Sequence, residues 1–220
     1  MGGVAPVNAT ATPTRRGDRV GRRRDILAAA ATLLAERSYA DFTMRDVAAG
    51  AGVSAGTLYQ YFTTKWEIFV ELYEGRLAGE LVRFEALDPD VGFEELMAVV
   101  VEDFAGIYAQ LGRHQLLWAA EGLDPTAPST RGLAQTFQRL AASVESTIRA
   151  AMARAGLAPA PGPGFMPFVW ATCNGVGDQL VDDRYRLHGC TRDEFLAFAA
   201  TGLGRALTIG TPSRGSRRTR

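Results

Sequence analysis

The sequence predicts an all-α protein of about nine helices. Apolar residues recur at three- and four-residue intervals through almost the whole interior of the chain. No run of alternating β-branched residues appears. Several segments also open with a Ser or Thr three positions ahead of an acidic residue, the signature of a helix start. The first helix is expected at 22–37, with Ile26, Leu27, Ala30, Leu33 and Leu34 on one stripe. Thr43 and Asp46 then open a second helix that ends near Ala49 or Gly50, and Gly52 can take the left-handed conformation that turns the chain. Ser54 caps a third helix that runs through Tyr61, and Thr64 with Glu67 forms the capping box of a fourth. That fourth helix is expected at 65–87, with Trp66, Phe69, Tyr73, Leu77, Leu81 and Phe84 in register, until Asp88-Pro89-Asp90 stops it.

The remaining helices are expected at 93–111, 113–121, 130–155, 165–185 and 191–208. Gly122 with Pro125, Gly156 with the Pro/Gly run 159–164, and the Thr191/Glu194 capping box punctuate them. Residues 1–20 lack any apolar period and read as a disordered basic arm, as does the tail 211–220. The domain organisation expected is therefore the arm, a small head at 21–67, a trunk at 68–210 and the tail.

At 220 residues with 47% hydrophobic content, the chain can bury a sizeable core. No apolar run approaches the ~18–20 residues of a membrane helix, and no signal peptide is legible, so a cytoplasmic location is expected. Cys173 and Cys190 are too few for a disulfide framework and are expected to be reduced thiols. The net charge of zero conceals an asymmetry. Positions 15–65 carry nine basic and five acidic residues, whereas 66–204 carry ten basic and nineteen acidic. A basic head on an acidic body is the charge layout of a nucleic-acid-binding unit attached to a non-binding one.

The stretch 43–65 concentrates the chemistry. It ends on Lys65, the chain's only lysine among 23 arginines, placed on the first turn of a helix. Unpaired N–H groups and the positive dipole end favour an anion there, and a cation added to them suits a phosphate. The helix pair around Gly52 fits a helix-turn-helix locked by Met44, Val47, Ala48, Val53, Leu58 and Phe62. Its second helix leaves Ser54, Ala55, Gly56, Thr57, Tyr59, Gln60 and Tyr61 outward. Small residues at its start permit close approach to a groove. Thr57 and Gln60 suit base edges, and the tyrosine hydroxyls and Lys65 suit phosphates; Arg45 joins this DNA-binding set.

The segment 24–72 resembles the N-terminal domain of the tetracycline-repressor-like (TetR) family of transcription regulators. The matching residues are Ile26-Leu27 with Ala30, Tyr39, Phe42-Thr43, Val47-Ala48, Ala51-Gly52-Val53-Ser54, Gly56-Thr57-Leu58-Tyr59, Tyr61-Phe62 and Lys65. The resemblance implies a nine-helix fold whose C-terminal domain binds an effector and dimerises. It further implies that Thr43 and Lys65 bind phosphates, that Ser54 and Thr57 sit at the mouth of the recognition helix, and that Tyr59 and Tyr61 contact the DNA backbone. Ser38 and Trp66 depart from the family's usual Gly and acidic residue.

The trunk is read from physics alone. The helices at 165–185 and 191–208 are apolar around much of their circumference and carry small residues (Gly175, Gly177, Ala199, Ala200, Gly202 and Gly204), which suits a two-fold four-helix seam between two copies. A largely apolar effector is expected among Phe104, Tyr108, Trp118, Phe137, Trp170, Asn174 and Asp178, with Asn174 and Asp178, one turn apart, fixing its polar end. His114 reads as a surface or capping residue. His188 and Cys190 lack further ligands at zinc spacing, Gly202 and Gly204 follow no strand, and with two histidines no catalytic set is legible, so no metal, cofactor or enzyme activity is expected. These readings converge on a homodimeric, ligand-responsive repressor of a palindromic operator. The alternative is a helical protein-binding module that has lost specific DNA recognition.

Overall fold

The computed structural model describes residues 15–36, 41, 43–111 and 130–209, and the chain divides into two units, Met1–Phe69 and Val70–Arg220. In the first unit, α1 spans Arg15–Glu36, α2 Met44–Gly50 and α3 Ala55–Tyr59. Helix α1 therefore begins at Arg15, and positions 15–20, expected to belong to an irregular arm, are helical. Arginine is a good helix former, and the exposed Arg19 and Val20 give no apolar period to reveal this turn. The core of this unit is Ile26, Ala30 and Leu34 on α1, Val47 and Ala48 on α2, and Leu58 and Phe62 at α3.

The turn between α2 and α3 is fixed by its backbone. Gly52 lies at φ +63°. Its N–H donates to the Ala49 carbonyl at 3.1 Å, and the Val53 N–H reaches the Ala48 carbonyl at 2.9 Å. That pair of bonds is a Schellman motif, which satisfies the last carbonyls of α2 and aims α3 away from it. Helix α3 closes at Tyr59, earlier than expected, with Gln60 and Tyr61 forming the turn that follows.

Helix α4, Lys65–Glu85, starts in the first unit and continues into the second. The second unit adds α5 (Phe93–Leu111), α6 (Arg131–Arg154), α7 (Phe165–Leu180) and α8 (Arg192–Leu207). Helix α5 is its hub and packs against α6, α7 and α8. Leu96, Met97, Val100, Val101, Phe104 and Ala105 are all buried on it. At Gly177 of α7 the two helices approach so closely that a Cβ would stand 2.6 Å from the Ala105 carbonyl oxygen. Cys173, also on α7, is buried against α5, where its thiol faces the Val100 carbonyl at 3.9 Å and burial pushes its pKa up to about 12. The expected helix at 113–121, with His114 and Trp118, lies outside the described residues, as does Ser38.

Two features of this unit differ from the sequence expectation. The helix expected at 165–185 stops at Leu180, and Val181–His188 continues as a 3₁₀ helix. Asp183 takes a left-handed backbone at φ 53°, and Arg184 folds back to donate to the Asp178 carbonyl at 2.7 Å. A short polar side chain tolerates that conformation, and the guanidinium caps an exposed helix end. The second feature is a two-residue antiparallel ladder, Ala158 opposite Ile209 and Pro159 opposite Thr208. Two residues per strand are too short to generate a readable alternation.

The capping box at the start of α8 gives the fold a pH dependence. The Glu194 carboxylate accepts from the Thr191 backbone N–H and hydroxyl, both at 2.8 Å, and these bonds hold its pKa below the ordinary glutamate value. A carboxyl whose pKa falls on folding stabilises the native state fully above its unfolded-state value and loses that contribution as pH falls through the folded-state value. Melting temperatures of the native chain and of Glu194→Gln, measured from pH 7 to pH 3, are therefore expected to differ at neutral pH and converge on acidification.

Candidate functional site

The exposed surface of the first unit is organised by two helix starts. At α2 the Thr43 hydroxyl accepts from the Asp46 N–H at 3.3 Å, and the Asp46 carboxylate accepts from the Thr43 N–H and hydroxyl at 2.8 Å. Both donors of Thr43 are thus engaged by Asp46, so a phosphate at this position competes with that carboxylate. At α3 the Ser54 hydroxyl accepts from the Thr57 N–H at 3.1 Å and lies 2.9 Å from the Thr57 hydroxyl. Thr43, Arg45, Ser54, Ala55, Gly56, Tyr59 and Gln60 are exposed, whereas Thr57, Tyr61 and Lys65 are half-buried. The first turn of α3 therefore presents small residues to solvent, and a Cβ built on Gly56 meets only the Ser54 hydroxyl, at 3.9 Å.

Tyr61 is tied to α1. The Arg23 guanidinium donates to its carbonyl at 3.2 Å and lies 4.3 Å from the centre of the Phe62 ring, and the Arg19 guanidinium stands 5.8 Å from the Tyr61 ring. These contacts bring the basic N-terminal turns of α1 beside the end of α3, a placement the sequence did not reveal. Lys65 follows on the first turn of α4. Here the Thr64 hydroxyl accepts from the Glu67 N–H at 3.2 Å, while the Glu67 carboxylate accepts from the Thr63 N–H at 2.6 Å, one residue ahead of the expected Thr64. Trp66 stacks on Phe69 with ring centres 5.9 Å apart.

The second unit contains a cavity of about 170 Å³ lined by Tyr73, Leu77, Phe104, Ile107, Tyr108, Phe137, Trp170 and Asn174. Five of the expected effector residues thus converge: Phe104, Tyr108, Phe137, Trp170 and Asn174. Tyr73, Leu77 and Ile107 join them; their helical spacing marks them as core, and nothing in sequence separates a core residue from one lining a cavity. Asp178 is absent from the lining, since Arg184 takes its carboxylate in an ion pair on the solvent side. Trp118 lies outside the described residues. Among the described residues no group of three or more His, Cys, Asp or Glu is placed to hold a metal ion.

A sequence profile for bacterial regulatory proteins of the tetR family matches residues 26–72. That segment, and not the rest of the chain, carries the sequence similarity to the tetR family. The helix-turn-helix repressor KstR2 of Mycobacterium tuberculosis is 34% identical to this chain over 88 residues, which cover 39% of this chain and 44% of that protein. KstR2 of Rhodococcus jostii is 44% identical over 57 residues, covering 26% and 28%. The chain thus spans less than half the length of the curated relatives it matches. Solved structures share the fold at greater length. A putative transcriptional regulator from Saccharomonospora viridis, in complex with choline, has a TM-score of 0.65 at 18% identity and covers 86% of this chain and 99% of its own. FadR from Bacillus subtilis, in complex with stearoyl-CoA, has a TM-score of 0.57 at 18% identity, covering 85% and 98%. Among the described residues no helix is long and apolar enough to cross a membrane.

Proposed function

We propose that this chain is a cytoplasmic DNA-binding repressor that acts as a homodimer and is released from its operator by a small molecule held in the second unit. The observation that carries the DNA-binding reading is the exposed, small-residue start of α3, followed by Lys65, inside the segment 26–72 that matches the family. Thr57 and Gln60 then address base edges, and Tyr59, Tyr61, Arg45 and Lys65 hold the backbone. The direct test is a binding assay with DNA from upstream of the protein's own coding sequence. Absence of any salt-sensitive, sequence-preferring site would falsify the regulator reading.

Lys65→Ala separates this reading from that of a protein-binding module. Losing one phosphate contact is expected to weaken binding to all DNA sequences alike and to flatten the slope of log K against log salt by about 0.9. Gln60→Ala is expected to alter the ranking of sequences instead. A protein-binding module responds to neither change.

The dimer seam is supported by the outer faces of α7 and α8. Phe168 is 46% exposed and Phe198 80% exposed, with Ala171, Gly175, Ala197 and Gly202 exposed on the same two helices. Large apolar side chains flanked by small ones suit close packing of a second copy. Phe198→Asp is expected to convert a dimer into a monomer by light scattering while leaving the helical circular dichroism intact.

Ligand control requires the effector to bind the conformation that does not hold DNA more tightly than the one that does. Helix α4 carries Lys65 on its first turn and Tyr73 and Leu77, which line the cavity, further along. A tilt of α4 on ligand binding would change the spacing of the two recognition helices from the ~34–36 Å that matches successive major grooves.

A further inference from the structure

We propose that the cavity of the second unit is an aromatic cage for a compact quaternary ammonium group. The proposal rests on the effector reading above and names the ligand class.

Three rings form the walls. Phe104 meets Trp170 edge to face, with ring centres 4.5 Å apart and planes at 87°, and Phe137 meets the same Trp170 at 5.1 Å and 37°. Among the described residues, Tyr73 and Tyr108 complete an aromatic majority in the lining, and Asn174 is its one amide. Walls that are not parallel, one pair edge to face and the other tilted, suit a rounded group, whereas a flat aromatic guest is best held between parallel planes. A trimethylammonium head is rounded, apolar on its surface and permanently charged. Ring faces attract such a cation without needing a donor or acceptor in return.

Size and charge agree. A dry apolar cavity of about 150 Å³ accepts benzene, so 170 Å³ suits a head of similar bulk. Among the described residues, no side chain in the lining carries a charge. Helix α4, which supplies Tyr73 and Leu77 to the lining, also carries negative charge. Glu74 follows Tyr73 and accepts from the Thr136 hydroxyl at 3.4 Å, and Thr136 precedes Phe137. Glu80, 2% exposed, is paired through one oxygen to Arg76 at 2.8 Å, and its other oxygen has no hydrogen-bond partner among the described residues. Buried carboxylates that are incompletely compensated favour a cation nearby.

The experiment is calorimetric titration of the full chain with choline, its uncharged isostere 3,3-dimethylbutan-1-ol and benzyl alcohol, at constant ionic strength, in parallel with release of bound operator DNA. Choline is expected to bind at least about tenfold more tightly than the isostere. Phe137→Leu, at a half-exposed rim position, is expected to erase that preference at unchanged melting temperature, and Glu74→Gln to reduce it. Equal or tighter binding of either neutral compound, an undiminished preference in folded Phe137→Leu, or no binding of choline overturns the cage. If choline binds with the expected preference but DNA stays bound, the cage stands and the effector role falls. If a neutral compound alone binds and releases DNA, the effector role stands and the cage falls.

Discussion

Gly177→Ala is expected to destabilise the second unit by about 2 kcal/mol and to lower the melting temperature by roughly 4–8 °C. The substitution ought to help an isolated helix, since alanine is better than glycine in a helix interior by up to about 1 kcal/mol. Packing decides the sign. A Cβ at this position would stand 2.6 Å from the Ala105 carbonyl oxygen and 2.7 Å from the Tyr108 Cβ. Neither atom is the free end of a side chain, so relief requires α5 to move, and α5 is the helix on which α6, α7 and α8 all rest. Because Tyr108 lines the cavity, the same displacement is expected to reshape it. Gly79→Ala on α4, where a Cβ meets nothing within 4 Å, is the control and is expected to leave stability unchanged or raised. A thermal melt of the two variants beside the parent chain checks both. Equal melting temperatures would mean that the α5–α7 approach is looser than described.

Gly56→Leu is expected to do the opposite, sparing the fold and removing the proposed DNA binding. The space beyond Gly56 is open, and leucine is a better helix former than glycine, so the melting temperature is expected to hold or rise. DNA affinity is expected to fall at least about tenfold, or about 1.4 kcal/mol, because a bulky side chain at the start of α3 keeps the backbone away from the groove. Undiminished binding would mean that α3 does not approach DNA by its N-terminal turn. The Ser54 and Thr57 hydroxyls on either side are already engaged with one another and with the backbone. Their direction is therefore set before any groove is met, which limits the ordering cost of binding.

The head was legible in the sequence because its signals are local. The Schellman turn at Gly52, the caps at Thr43 and Ser54 and the buried Val47, Ala48 and Leu58 each depend on residues a few positions apart. The cavity was half legible. Phe104, Tyr108, Phe137, Trp170 and Asn174 stood out as aromatic or polar residues on apolar helices, but Tyr73, Leu77 and Ile107 read as ordinary core. Asp178 was placed with the ligand by its one-turn spacing from Asn174. Arg184, which holds it, lies beyond a change from α to 3₁₀ helix that the apolar period does not announce. The placement of Arg19 and Arg23 on Tyr61 joins residues about forty positions apart, and the ladder between 158–159 and 208–209 joins segments about fifty apart. Neither has a local signal.

Lys65 has a chemical consequence separate from its place on α4. It is the only lysine in these 220 residues, so its ε-amine is the only side-chain primary amine in the chain. An amine-selective acylating reagent therefore has one side-chain amine as its target, and that amine belongs to the proposed DNA-binding surface. A single acyl group there would remove the one ammonium and leave all 23 guanidinium groups charged. Reductive methylation would keep the charge at the same nitrogen. The pair of treatments asks, in unmutated protein, whether this position needs a positive charge or only its shape.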